Sequence, residues 1–272
     1  MSETADGPTP ARPIWQPFTF GGLVVIARCG AGRILLAELV MAMFISGAVV
    51  YFAQRSYSPV ILQAIQEMPP GAKISGGHLT GVNTTLVAGS KFLALAVTPE
   101  TPAQIGQTAD VQVQFRPANF RVGSVFRPDW GWEFDYPPGQ TLDLSQAALE
   151  PWWGAWRPVI MASIGLGVFA ALLTSWLVLA TLYTMPLKIL AWLGDRVLSW
   201  TGAWCLSSGG LLPGALVMGL GSLLYAWQAI DLVGLSFFWL AHLLAGWIYS
   251  IGGALSCPPV PPAVIPPNPF AS

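Results

Sequence analysis

Formal charge is nearly missing from the C-terminal part of this chain, where only Asp231 is charged between Val197 and Ser272. Soluble domains have roughly 25% charged residues, whereas this chain has 9% charged and 54% hydrophobic residues. A membrane-spanning helix needs about 20 mostly apolar residues in succession. The lack of charge therefore predicts an integral α-helical membrane protein.

Other absences exclude several function classes. Cys29, Cys205 and Cys257 stand alone, without a CxxC pair, so we expect neither a disulfide framework nor a zinc site. The net charge of −1 provides no basic face for nucleic acid. The sequence has no GxSxG, HExxH, P-loop or Rossmann glycine pattern. It therefore predicts a protein that is not an enzyme and binds no cofactor.

Four apolar runs have the length and composition of membrane spans: residues 34–53, 157–183, 211–230 and 232–255. Arg12, Arg28 and Arg33 precede the first run, so the positive-inside rule places residues 1–33 in the cytoplasm. Within them, residues 14–28 are predicted to form an interfacial helix. A cleaved signal peptide is the alternative for residues 34–53, but the preceding segment is long for an n-region and Tyr51 suits a cleavage site poorly. Four spans return the C-terminus to the cytoplasm.

The segment 187–206 is ambiguous. Leu187, Leu190, Leu193, Val197 and Trp200 recur at helical spacing, which favours an amphipathic helix lying in the membrane interface. A spanning helix is the alternative, but it would place two charged residues near mid-bilayer. The last segment, 256–272, is rich in proline and is predicted to be an extended or disordered tail.

Residues 54–156 have the composition of a soluble domain and are predicted to form a small extracytoplasmic α+β domain between the first two spans. Residues 110–116 alternate in polarity, which predicts a half-buried strand with Val111, Val113 and Phe115 on one face and Asp110, Gln112 and Gln114 on the other. A turn and residues 120–126 complete a hairpin. Strands are also predicted at 91–97 and within 73–84, and a short helix at 57–68 ends before two prolines.

Four aromatic residues alternate along one segment of this domain: Trp130, Trp132, Phe134 and Tyr136. They predict a strand face that stacks on a sugar or a lipid headgroup. The alternative is that the rings fill a small core or rest on the membrane beside nearby tryptophans. Beside them in the sequence are three acidic residues that glycoside chemistry could pair: Asp129, Glu133 and Asp135.

Small and titratable residues repeat every four positions within three of the spans, and each series predicts a face turned toward a neighbouring helix. The three series are Glu38, Ala42 and Ser46; Ser163, Gly167, Ala171 and Ser175; and Gly234, His242, Gly246 and Ser250. Ionisable residues inside membrane spans are candidates for a functional role. His242 and Glu38 are two such residues. The alternative is structural, with neutral His242 bonded inside the bundle and Glu38 reaching the inner interface near Arg33.

Short local motifs carry a resemblance. Met68-Pro69 is followed by Gly77-x-Leu79, and Leu198-Ser199-Trp200 with Ala203-Trp204 precedes Leu212-Pro213. In these motifs the chain resembles a group of uncharacterised bacterial multi-span membrane proteins that are distantly similar to the Yip family. The resemblance implies an anchor helix, an extracytoplasmic domain and a later helix cluster in a bacterial cytoplasmic membrane. The position of the domain differs from Yip proteins proper, so their small-GTPase and vesicle roles do not transfer.

Two functions remain open. The first is a scaffold or accessory subunit whose extracytoplasmic domain contacts a partner protein or envelope component, with helix faces that also permit a homo-oligomer. The second is a small-molecule or lipid binder or transporter component built around His242. Besides the lipid bilayer, the expected partner is therefore a protein, and no nucleic acid is expected.

Overall fold

The computed structural model describes residues 16–28, 30–83, 85–98 and 108–262, with only the backbone described at Pro128 and Asp129. The chain divides into two compact units. One unit comprises Met1–Ile45, Phe169–Ser222 and Val233–Ser272; the other comprises Ser46–Val168 and Leu223–Leu232. The structure confirms four helices long and apolar enough to span a membrane, and a small α+β region between the first and second of them.

Six helices are present in the described chain: α1 (Phe20–Ile26), α2 (Ala31–Ser56), α3 (Ser58–Gln66), α4 (Gln146–Leu193), α5 (Trp200–Ala226) and α6 (Leu232–Leu255). Helix α6 coincides with the predicted fourth run. Helix α4 is much longer than the predicted residues 157–183, and it continues through Pro186. A proline inside a helix removes one hydrogen bond and crowds the preceding turn, and membrane helices tolerate it where neighbouring groups satisfy the freed backbone.

The first unit is a helical bundle in which α1 packs one face against the longer helices. Thr19 caps α1 by accepting a hydrogen bond from the Gly22 backbone N–H at 3.1 Å. Leu23 and Ile26 are fully buried in a cluster with residues of α2 and α5. The predicted helix within residues 14–28 is therefore present from Phe20, and one of its faces packs against protein.

The prediction of one interfacial helix at residues 187–206 is wrong, because a turn divides the segment. Asp195 adopts a left-handed conformation with φ of 51°, and the Arg196 N–H donates back to the Ala191 carbonyl at 2.8 Å. The chain then pairs with the start of the C-terminal tail, since the Val197 N–H donates to the Pro258 carbonyl at 2.9 Å. The predicted tail is thus anchored at its beginning, while residues 263–272 lie outside the described part.

The described part of the second unit contains eight strands: β1 (Lys73–Ser75), β2 (His78–Thr80), β3 (Leu86–Gly89), β4 (Leu93–Val97), β5 (Val111–Phe115), β6 (Asn119–Ser124), β7 (Arg127–Asp135) and β8 (Thr141–Asp143). One sheet has the order β2-β1-β8, and the other has the order β3-β4-β5-β6-β7. The pairs are antiparallel except β4 with β5. Positive φ at Gly76 and Gly77 forms the tight β1–β2 turn. Helix α3 packs Val60 against Ala88 and Leu93.

The strand predicted at residues 110–116 is present, and its polar face is the more buried one. Gln112 and Gln114 are only 8% and 5% exposed, whereas Val111 and Val113, which alternate with them, are half-buried. Strand β5 lies in the middle of its sheet, and the neighbours of the two glutamines on β4 are the small residues Ala94 and Ala96. The Gln112 side-chain amide donates to the Ala109 carbonyl at 3.3 Å. The buried amide therefore keeps a hydrogen-bond partner.

Candidate functional site

Three of the four alternating aromatics, Trp130, Trp132 and Phe134, lie on β7, a nine-residue strand at one edge of the five-stranded sheet. Trp130, Trp132 and Phe134 are 52%, 58% and 47% exposed. The Trp130 and Trp132 ring centroids are 4.6 Å apart in an edge-to-face arrangement. Phe134 stacks on Phe120 of β6 at 4.9 Å. The three exposed rings therefore form one apolar surface, called here the aromatic face.

Tyr136 does not belong to the aromatic face. Its ring is buried with Ile74 and Leu79, and its hydroxyl donates to the Arg116 carbonyl at 3.0 Å. Burial raises the pKa of Tyr136 to about 12, and the hydrogen bond to Arg116 opposes part of that rise. The core-filling alternative is thus correct for Tyr136 and wrong for the other three rings.

The two described acidic side chains of β7 have different surroundings. Glu133 makes an ion pair with Arg116 at 3.0 Å, while Asp135 is exposed at the end of the strand. The side chain of Asp129 lies outside the described part of the chain. Within the described residues, no group of three or more His, Cys, Asp or Glu side chains could hold a metal ion.

His242 lies on α6 beside a cavity of about 170 Å³ in the helical unit. Ser175, Trp176 and Tyr183 of α4 line the same cavity, which is otherwise mainly apolar. The imidazole Nδ1 is buried, and its interaction with the Trp239 backbone one turn earlier lacks hydrogen-bond geometry. The structure therefore places His242 inside the bundle with one unsatisfied ring nitrogen.

Glu38 is 1% exposed on α2. Its carboxylate accepts a hydrogen bond from the Ser208 hydroxyl of α5 at 2.5 Å. The expectation that Glu38 reaches the inner interface near Arg33 is therefore wrong, since the side chain points into the bundle. His242 and Glu38 have different hydrogen-bonding environments, and the structure shows no interaction between them within the described residues.

The small-residue faces differ in what they contact. On α6, Gly246 and Ser250 are buried, and Gly210 and Gly214 of α5 lie against this face. On α4, by contrast, the predicted series is exposed, and nothing lies within 4 Å of a Cβ built at Gly167. Sequence reasoning missed Gly210 and Gly214, although their four-residue spacing was a usable signal.

A second missed feature is a buried polar pair in the α+β unit. The Tyr225 hydroxyl donates to the Asp110 carboxylate, and Phe52 and Phe92 pack around Tyr225 with ring centroids 5.5 Å and 4.9 Å away. The partners are separated by 115 positions, so no local sequence signal could reveal the contact. It ties the end of α5 to the start of β5.

Comparison with known proteins adds no functional information: no family model, no curated protein and no solved structure matches this chain. The functional argument therefore depends on the features described above.

Proposed function

We propose that the chain is an integral membrane protein with four spans formed by α2, α4, α5 and α6, cytoplasmic termini and an extracytoplasmic α+β domain. The composition of α6 supports this proposal. Its buried residues are small, including Gly246 and Ser250, whereas Phe237, Leu244 and Ile248 are more than half exposed. Large apolar side chains outside and small ones inside suit a helix solvated by lipid. In water the same surface would drive aggregation.

We further propose that the protein is a non-enzymatic scaffold or accessory subunit whose extracytoplasmic domain binds a partner protein. The aromatic face carries this proposal. Exposed Trp residues with neighbouring aromatics are typical anchors of protein interfaces. Among the described strands, β7 has a neighbour on one side only, so its outer edge also offers a row of backbone donors and acceptors to an added strand of a partner protein.

Photocrosslinking in native membranes tests the docking proposal. A photoreactive amino acid at position 132 is expected to give one protein adduct of constant mass. Replacing Trp130 and Phe134 by serine should weaken this contact at least roughly 30-fold, because one interface anchor alone contributes about 2 kcal/mol or more. Both side chains are about half exposed, so the domain should stay folded, with a modest fall in unfolding temperature from the lost ring contacts.

The control probe replaces Val87, which is 45% exposed on β3 at the opposite edge of the sheet, and it should give no such adduct. Adducts with lipid alone at position 132 would contradict docking and would indicate that the rings rest on the membrane. Equal adducts from positions 132 and 87 would also contradict it.

A second function, binding of a small molecule in the helical bundle, is favoured by the cavity beside His242. This function predicts that His242→Leu removes a small molecule that copurifies with the protein, since the unsatisfied Nδ1 would bond to it. Mass spectrometry of extracts from both proteins provides the measurement. Met218→Leu, which lines the same cavity with little volume change, is the matched control. If both variants retain the same molecules as the parent, His242 has only a packing role.

A further inference from the structure

An open apolar groove of about 510 Å³ runs along the first part of α2. Its side chains at positions 33, 36, 37, 40 and 41 recur every three to four residues, so they lie on one helix face about 12 Å long. Phe18 and Leu212 form its other walls. The volume is within the roughly 300–1,000 Å³ typical of small-molecule sites.

Arg33 is the only charged side chain among the described residues that line this groove. Arg33 is exposed, and the described part of the chain provides no ion-pair partner for its guanidinium. Glu38 does not neutralise it, because that carboxylate is buried and bonded to Ser208. The groove thus has an available cation at one end and apolar side chains along its length.

These features point to one kind of ligand. A ligand with several polar groups would leave them unpaired against Leu36, Val40 and Met41, and unpaired polar groups are unfavourable in an apolar site. An amphiphile with one anionic end and an apolar chain suits both parts of the groove. A guanidinium binds phosphate oxygens through paired hydrogen bonds, and basic pockets on the cytoplasmic side of membrane helices bind anionic headgroups.

We propose that this groove is a binding site for an anionic phospholipid of the cytoplasmic leaflet, with the phosphate on Arg33 and an acyl chain along α2. The inference rests on the proposed insertion of α2 into a bilayer. It is independent of partner docking through the aromatic face.

Titration of the delipidated full-length protein, followed by native mass spectrometry, tests the site. The two probes are phosphatidylglycerol and phosphatidylcholine with identical acyl chains. The parent protein is expected to bind phosphatidylglycerol about tenfold more tightly, and Arg33→Gln should abolish that preference. Ala37→Phe should weaken binding of both lipids because the ring would occupy the groove.

Matched controls lie on the same helix. Arg55→Gln removes an exposed charge near the other end of α2, and Leu39→Phe enlarges an exposed residue outside the groove; both should bind lipid as the parent does. Equal binding of the two lipids by the parent, or equal effects of Arg33→Gln and Arg55→Gln, would overturn the proposal.

Two further results would assign the groove to another occupant and also overturn it. The first is tighter binding of oleate than of phosphatidylglycerol. The second is a large gain in lipid binding when residues 1–15 are deleted, since that would indicate that the chain's own N-terminus fills the groove. Carbonate extraction of Arg33→Gln separates the two proposals. If the variant stays in the membrane and loses its lipid preference, only lipid binding at the groove has been removed. If carbonate extracts both the variant and the parent, the proposal that α2 inserts into the membrane is wrong.

Discussion

Gly214→Leu is expected to prevent stable folding of the helical bundle. A Cβ at position 214 would lie 2.5 Å from the His242 carbonyl oxygen, and real Cβ atoms do not approach backbone so closely. Helices α5 and α6 would have to move apart where Gly214 packs against Gly246. Overpacking by a few methylene groups costs about 1–3 kcal/mol, and a collision with backbone exceeds that range. The total stability of a protein is only about 5–15 kcal/mol.

Size-exclusion chromatography and thermal unfolding in detergent measure this effect. Gly214→Leu should be aggregated or should unfold at a much lower temperature, with Gly214→Ala between it and the parent. Gly167→Leu is the matched control, because position 167 is an exposed helical glycine with nothing within 4 Å of its Cβ. Its stability should be unchanged or slightly higher, since glycine is a poor helix former. A Gly214→Leu protein as stable as the parent would contradict the close α5–α6 contact.

The membrane-length helices could be predicted because their signal is local. A run of about 20 apolar residues has few structural solutions, and residues 232–255 coincide with a helix of the structure. The turn within residues 187–206 had only a weak local signal. Helical spacing of apolar residues continues across it, and the signal that this spacing masked is Gly194 followed by the left-handed Asp195, residue types that often follow the end of a helix.

Which faces are covered could not be predicted from spacing alone. A four-residue repeat shows that one face of a helix carries small side chains. It does not show whether another helix packs against that face. The Gly246–Ser250 face is packed against α5, whereas the Gly167 face is exposed. The same limit applied to the 110–116 strand, because alternation separates two faces and its central position in the sheet buried the polar one.

The candidate docking site was predictable in its composition and not in its exposure. Alternation placed Trp130, Trp132 and Phe134 on one strand face, but whether that face is the core depends on which strands lie beside and over it. In the structure the three rings are about half exposed, whereas Tyr136, which follows the end of β7, is buried in the core. Gly210 and Gly214 were recognisable by spacing, but the Asp110–Tyr225 pair depended on the tertiary fold.

The membrane and docking proposals both depend on the proposed membrane topology. Single-cysteine labelling should distinguish residues outside the membrane from residues on the cytoplasmic side. With Cys29, Cys205 and Cys257 replaced by alanine, one new cysteine is placed at Gly139 and, in a second protein, at Val260. Gly139 is exposed between β7 and β8, and nothing lies within 4 Å of its Cβ. Val260 is 54% exposed after α6.

A membrane-impermeant maleimide applied to intact cells is the decisive measurement. Four spans with a cytoplasmic N-terminus predict full labelling of Gly139→Cys, and labelling of Val260→Cys only after the cells are permeabilised. Labelling of Val260→Cys in intact cells, or protection of Gly139→Cys, would contradict the four-span arrangement with an extracytoplasmic α+β domain.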